Sequence, residues 1–246
     1  MATVTLARPE KRNAQTPATW RALAAVGRDL LADDDIRVVV LRSEGESFSA
    51  GLDRAMLTGG VDGEPGLPEL AALETAALDE VISGFQDAFT WWQDARIVTI
   101  AAVQGHAVGA GFQLALACDL RVLADDAKLA MREASLGLVP DLAGTKPLVD
   151  TVGYSRALEI CATGRWVGAE EAAEIGLASL VVPRADLDSA TTDLAAALLA
   201  APAEALRATK DLLRGAAGRT HGEQQAAERA AQAGRLRELG EPAGGR

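Results

Sequence analysis

The stretch Ile97-Val98-Thr99-Ile100-Ala101-Ala102-Val103-Gln104-Gly105-His106-Ala107-Val108-Gly109-Ala110-Gly111-Phe112-Gln113-Leu114-Ala115-Leu116-Ala117-Cys118 contains no charged residue. It is long enough to cross a bilayer. It also holds Gln104, His106 and Gln113, with Gly105, Gly109 and Gly111 close together. Unpaired polar groups and open backbone are costly in lipid, so a membrane span is rejected. The pattern reads as a buried strand over Ile97–Val103, a Gly-rich turn, and a buried helix over Ala110–Cys118.

Working outward, short β-rich runs alternate with helical segments. Met1–Leu6 and Ile36–Leu41 read as strands, the second ended by Ser43, Glu44 and Gly45. A Gly/Pro-rich segment, Thr58–Pro68, reads as a mobile loop. Leu70, Leu73, Ala77, Val81, Phe85 and Phe89 recur at helical spacing, which predicts one long amphipathic helix over Glu69–Asp94. Beyond the central stretch, Leu120–Leu123, Lys128–Met131 and Leu180–Val182 read as strands. Helices are expected around Pro147–Val152, Tyr154–Ala162 and Ala169–Ile175. From Asp186 onward the chain is Ala-rich and helical, with Pro202 at a helix start. The alternating α/β body therefore ends near Pro183.

The whole chain has 246 residues, 49% hydrophobic and 24% charged, enough for one substantial core. Its net charge of −11 repels phosphate backbones at long range and argues against a nucleic-acid partner. Cys118 and Cys161 are too few for a metal cluster or a disulfide framework, and two isolated histidines, His106 and His221, make a metal site improbable. With no signal peptide in the opening residues, the expected setting is a reducing, cytoplasmic one.

Two turns carry chemistry. Ser47-Phe48-Ser49-Ala50-Gly51-Leu52-Asp53 follows the first buried strand, and Gly105–Gln113 follows the second. A strand entering a Gly-rich turn and then a helix presents free backbone N–H groups, which suit an anion or a developing oxyanion. Glycine also marks tight packing, so either turn alone carries little weight.

Together and in order, the motifs resemble those of the enoyl-CoA hydratase/isomerase (crotonase) superfamily from about Val4 to about Lys210. Arg8-Pro9-Glu10-Lys11-Arg12-Asn13-Ala14 is similar to the family's opening segment. Ser49-Ala50-Gly51-Leu52-Asp53 resembles its first oxyanion turn, with Arg54 where leucine is usual. Gly105–Asp119 resembles the second turn and its helix, and Arg132–Pro140 a third motif, with Arg132 replacing a proline. The resemblance implies an α/β fold, a crotonase-like spiral of ββα units over residues 1–183, followed by a helical oligomerisation region over 184–246. It also implies a homotrimer or a dimer of trimers.

The implied chemistry is that of acyl-CoA thioesters, with coenzyme A part of the substrate and no separate cofactor. The backbone N–H groups of Leu52 and Ala110 would form the oxyanion hole. Ala50, Gly51, Leu52, Asp53 and Gly109 would lie along CoA, with Lys11 and Arg12 near its phosphates. Hydratases of the family hold water between two glutamates; here those positions are Gln113 and Glu133. A glutamine cannot exchange a proton at neutral pH, although it can orient water or line the pocket. One carboxylate suffices to move a double bond, so isomerisation is favoured. Hydration by Glu133 with Asp141 or a Gln113-held water, and a non-catalytic acyl-CoA-binding protein, stand as alternatives.

Asp141 sits where some dienoyl-CoA isomerases of the family supply a second carboxylate; it would equally serve as the N-cap of the helix after Leu142. Met56 and Leu57 suit either an acyl chain or the core, and Trp91 and Trp92 suit the core. Thr209-Lys210 resembles a family helix lysine whose role the sequence leaves open. The family's terminal helix motif is missing from Gly240–Arg246, so a more open CoA pocket is expected.

Overall fold

A computed structural model describes residues 1–61 and 63–240. The last residues of the expected helical region, 241–246, therefore lie outside the described residues. Five strands form a parallel sheet: β1 (Ala2–Leu6), β2 (Val38–Ser43), β3 (Val98–Val103), β5 (Leu120–Ala124) and β8 (Leu180–Val182), in that spatial order. A second sheet holds β4 (His106–Val108), β6 (Lys128–Ala130) and β7 (Val167–Gly168), with β4 parallel and β7 antiparallel to β6.

The chain passes from the first sheet to the second twice, from β3 into β4 and from β5 into β6. The run predicted as one Gly-rich turn is thus a turn at Gln104–Gly105, a short strand, and a second turn at Gly109. Each strand of the first sheet that is buried on both faces is nearly continuous in apolar residues, as expected of a covered parallel sheet.

One face of the sheet packs on the larger core, where Trp20, Phe48, Phe89, Trp92 and Phe112 are buried. Helix α1 (Pro17–Ala32) starts with Thr16 accepting from the Thr19 N–H at 3.3 Å and with Pro17 in its first turn. Helix α4 (Ala110–Ala117) is buried along its whole length. The other face is covered by α8 (Leu187–Ala200), whose Leu187 and Ala195 pack on Val38, Val40, Ile100 and Val122. The first helix beyond Pro183 thus completes the sheet sandwich.

The long helix expected over Glu69–Asp94 is two helices: α2 (Leu67–Ala71) and α3 (Thr75–Thr90), followed by a 3-10 turn at Trp91–Gln93. Glu74 is extended (φ −61°, ψ 147°) and breaks the run. The apolar period survives the break because Leu70 on one helix and Leu78 on the other face one cavity. The segment read as mobile carries a Val61–Glu64 bridge, and Glu64 pairs with Arg21 of α1.

Helices α5 (Thr145–Val152), α6 (Tyr154–Thr163) and α7 (Ala169–Glu174) follow the second sheet, and α9 (Ala203–Ala216) and α10 (His221–Gly240) follow α8. The family-like lysine acts as a tether. Lys210 Nζ, on α9, donates to Asp119 Oδ2 at 2.7 Å and to the Ile97 carbonyl at 2.6 Å. The same carboxylate oxygen accepts from the Thr99 N–H at 2.8 Å.

Candidate active site

The two turns meet. Gly51 holds φ +83°, and a Cβ there would stand 2.3 Å from the Val108 carbonyl oxygen, so only glycine lets the first turn lie against the second. The Ser49 N–H donates to the His106 carbonyl at 2.9 Å, and the Val108 N–H returns a bond to the Ser49 carbonyl at 3.0 Å. Ser49 Oγ donates to the Asn13 carbonyl at 2.7 Å, and Asn13 Nδ2 donates to the Glu44 and Ser47 carbonyls. The opening motif therefore braces the first turn through its asparagine.

Leu52 and Ala110 border a cavity of about 730 Å³. Among the described residues neither of their backbone N–H groups donates to a backbone carbonyl. Ala110 is the first residue of α4, after Gly109 as N-cap, so its N–H is one that a helix leaves unpaired.

Glu133 opens a 3-10 turn (Glu133–Leu136) and borders the same cavity. It is 9% exposed, and burial raises its carboxyl above the usual range, with the Asp141 charge adding to the rise against opposing hydrogen bonds. Gln113 Nε2 donates to Glu133 Oε1 at 2.7 Å. Glu133 Oε2 is buried and has no hydrogen-bond partner among the described residues. A Cβ on Gly109 would stand 3.2 Å from Oε1, so the carboxyl sits against the oxyanion turn.

Gln113 lies one layer behind the cavity. Its Oε1 accepts the Leu142 N–H at 2.9 Å and the Gly144 N–H at 3.3 Å, leaving the side chain buried between Glu133 and the 141–144 loop. A Cβ on Gly144 would come within 2.6 Å of Gln113 Cγ. The amide orients Glu133 instead of lining the pocket.

Asp141 borders the cavity, half-buried, with its carboxyl raised by burial. It does not cap a helix: α5 starts at Thr145 with Gly144 as N-cap. The Asp141 carbonyl instead accepts from Gln86 Nε2 at 2.7 Å, fixing the loop to α3.

Of the expected CoA residues, Ala50, Gly51, Leu52 and Gly109 border the cavity. The Asp53 carboxylate is engaged elsewhere. Burial pushes it up, but the Ala55 N–H at 3.1 Å and the Arg8 guanidinium at 2.7 Å outweigh this and hold it below its ordinary value. Lys11 and Arg12 are exposed and outside the cavity lining, and the Arg12 carbonyl accepts the Ala50 N–H at 2.8 Å. Arg54, exposed, borders the cavity instead.

Met56 and Leu57 line the cavity with Trp20, Leu70, Ile82 and Phe85. The last four escaped sequence reading because an apolar residue facing a cavity has the same helical spacing as one facing the core. His106 is at the surface, edge-on to Trp166 with ring centres 5.3 Å apart. Among the described residues no cluster of histidine, cysteine or carboxylate ligands could hold a metal, and no helix is long and apolar enough to cross a membrane.

A family model for enoyl-CoA hydratase/isomerase matches residues 1–237. A hydroxycinnamoyl-CoA hydratase-lyase from Pseudomonas fluorescens is 36% identical over 214 residues, spanning 85% of this chain and 73% of its own. A mitochondrial Δ(3,5)-Δ(2,4)-dienoyl-CoA isomerase from Rattus norvegicus is 34% identical over 75% of this chain and 56% of its own. Among solved structures, a protein assigned as an enoyl-CoA hydratase from Thermobifida fusca YX, in complex with acetoacetyl-CoA, superposes with a TM-score of 0.91 at 51% identity. That match covers 96% of this chain and 91% of the other. Two interlocked turns, the ordered motifs and these likenesses lead to one assignment: the chain belongs to the enoyl-CoA hydratase/isomerase family, with the α/β crotonase-type fold, and is an enzyme acting on acyl-CoA.

Proposed function

We propose that the chain is an enoyl-CoA isomerase that moves a carbon–carbon double bond beside the thioester, with Glu133 as its proton carrier. The observation that carries this reading is the asymmetry of the Glu133 carboxyl: Oε1 is tied to an amide that cannot exchange protons, and Oε2 is buried without a partner among the described residues. Ionised Glu133 takes a proton from the acyl chain at Oε2. The negative charge moves to the thioester oxygen, where the Leu52 and Ala110 N–H groups receive it without reorganising. The same Oε2 returns the proton one double bond away. A carboxyl raised by burial is better matched to proton exchange near neutrality than an exposed one.

CoA would lie along Ala50–Asp53 and Gly109, with Lys11, Arg12 and Arg54 as cations for its phosphates. The complex of the Thermobifida fusca relative with acetoacetyl-CoA supports such a site. Two free cysteines suit a cytoplasmic setting. Exposed Leu213, Leu236 and Leu239 on the terminal helices suit a homotrimer or dimer of trimers.

A second reading, hydration, is favoured by one observation: Asp141 brings another carboxyl, raised by burial, to the same cavity. Incubation with cis-3- and trans-2-enoyl-CoA separates the readings by product. Interconversion of the two is expected. A 3-hydroxyacyl-CoA as the main product would make the enzyme a hydratase, and neither product would make it a binding protein.

A further inference from the structure

We infer that the acyl group this site takes is an uncharged hydrocarbon of medium length or longer. This rests on the reading above, that a CoA thioester lies between the two turns, and concerns what the cavity beyond them accepts. The cavity of about 730 Å³, which the two turns also border, takes hydrocarbon from α1, the 54–57 turn, α2, α3 and the 136–142 segment. Trp20 and Phe85 form an aromatic wall with ring centres 4.7 Å apart. The one polar atom of that wall, Trp20 Nε1, already donates to Gln15 Oε1 at 2.8 Å, so the indole offers a ligand only its ring. Met56, Leu70, Ile82 and Leu142 complete the walls.

The polar groups that border the cavity do not serve a charged acyl end. Glu133 and Asp141 are acidic and stand at the reacting end. Arg54 is exposed. The Arg132 guanidinium lies over the Trp166 ring, 5.0 Å from its centre. Ser135 Oγ is spent on the Arg132 carbonyl at 2.6 Å. A carboxylate at the far end of an acyl chain would leave water for largely apolar walls, with only exposed Arg54 and the ring-bound Arg132 as cations on the border, which is unfavourable. A methylene there gains what any buried methylene gains, about fourfold in affinity per group. A two- to four-carbon acyl group would leave most of this surface uncovered.

Binding of saturated acyl-CoAs, which are not turned over, tests the inference by calorimetry on the full chain. Free CoA, butyryl-CoA, octanoyl-CoA and octanedioyl-CoA, which ends in a carboxylate, form the series. Octanoyl-CoA is expected to bind at least tenfold more tightly than butyryl-CoA, and octanedioyl-CoA no more tightly than butyryl-CoA. Ile82→Trp, which fills the cavity, is expected to remove the advantage of octanoyl-CoA over butyryl-CoA. Equal affinity for butyryl and octanoyl, or for octanoyl and octanedioyl, overturns the inference and leaves the acyl-CoA reading intact. Failure of every thioester to bind overturns both, and is recognised by the free-CoA and butyryl-CoA arms.

Discussion

Gln113 donates its amide to Glu133 across 2.7 Å while its carbonyl oxygen accepts two backbone N–H groups from the 142–144 loop. The loop fixes the amide, the amide fixes one carboxyl oxygen, and the other oxygen is buried without a partner among the described residues. Three bonds set the amide orientation, and in the proposed mechanism Gln113 acts as a positioning residue through Glu133.

Removing the proton carrier is the most direct test of that assignment. Glu133→Gln keeps the size of the side chain and removes proton transfer. Isomerase turnover is expected to fall on the order of a thousandfold, with binding of a saturated acyl-CoA within a few-fold of wild type. Retention of most activity would move the role to Asp141.

Gln113→Glu is nearly isosteric and sets two carboxyls at hydrogen-bond distance, so the pair titrates as a unit. The Leu142 and Gly144 N–H groups favour charge on the new side chain, which leaves the shared proton on Glu133. A base that must be ionised then works only at higher pH. The ascending limb of the kcat/KM profile for isomerisation is expected to move up by at least one pH unit, with a tenfold or greater loss at pH 7. An unmoved limb would show that the amide does not govern the carboxyl.

Burial raises the Asp141 carboxyl above its ordinary value. The folded protein then holds a proton that the unfolded chain has released, so this residue's contribution to stability falls as pH rises through the range between the two values. Asp141→Asn removes the effect. The melting temperature of the variant minus that of wild type should grow between pH 4 and pH 8. A difference that is constant or shrinks would contradict the assignment.

Lys210 and Asp119 form a largely buried ion pair between α9 and the sheet. Lys210→Ala leaves the carboxylate without its cation and is expected to cost about 3–5 kcal/mol in chemical denaturation. A loss below about 1 kcal/mol would mean that water replaces the ammonium.

Leu213, Leu236 and Leu239 are each more than half exposed on α9 and α10, and α10 buries no residue of its own. Light scattering at micromolar concentration is expected to give a mass of three or six chains. A monomer would reject the assembly.

Much of this was legible in the residues. The strand–turn–helix order, the two glycine turns and Glu133 follow from apolar runs, breaker residues and ordered motifs. The break between Ala71 and Thr75 was not, because Leu70 and Leu78 keep their period across it while facing one cavity from two helices. Of the two readings of Asp141, second carboxylate or cap, the cap fails, since proline before aspartate signals a helix start but here precedes a loop pinned by Gln86 and Gln113. The place of Gln113 behind the cavity was out of reach. It depends on N–H groups 29 and 31 residues away. Lys210 was visible as a residue but its partners, Asp119 and Ile97, lie 91 and 113 positions earlier.

The contact between Gly144 and Gln113 sets the order in which this site is able to evolve. Any side chain added at 144 collides with the carbons of residue 113, whichever of glutamine or glutamate stands there. A lineage changing its acid–base pairing can exchange amide for carboxylate at 113 in a single step, with the backbone undisturbed. A lineage that first enlarges position 144 must shorten 113, and then forfeits both options. Gly144, by leaving that space open, keeps residue 113 free to be either the amide or the carboxylate.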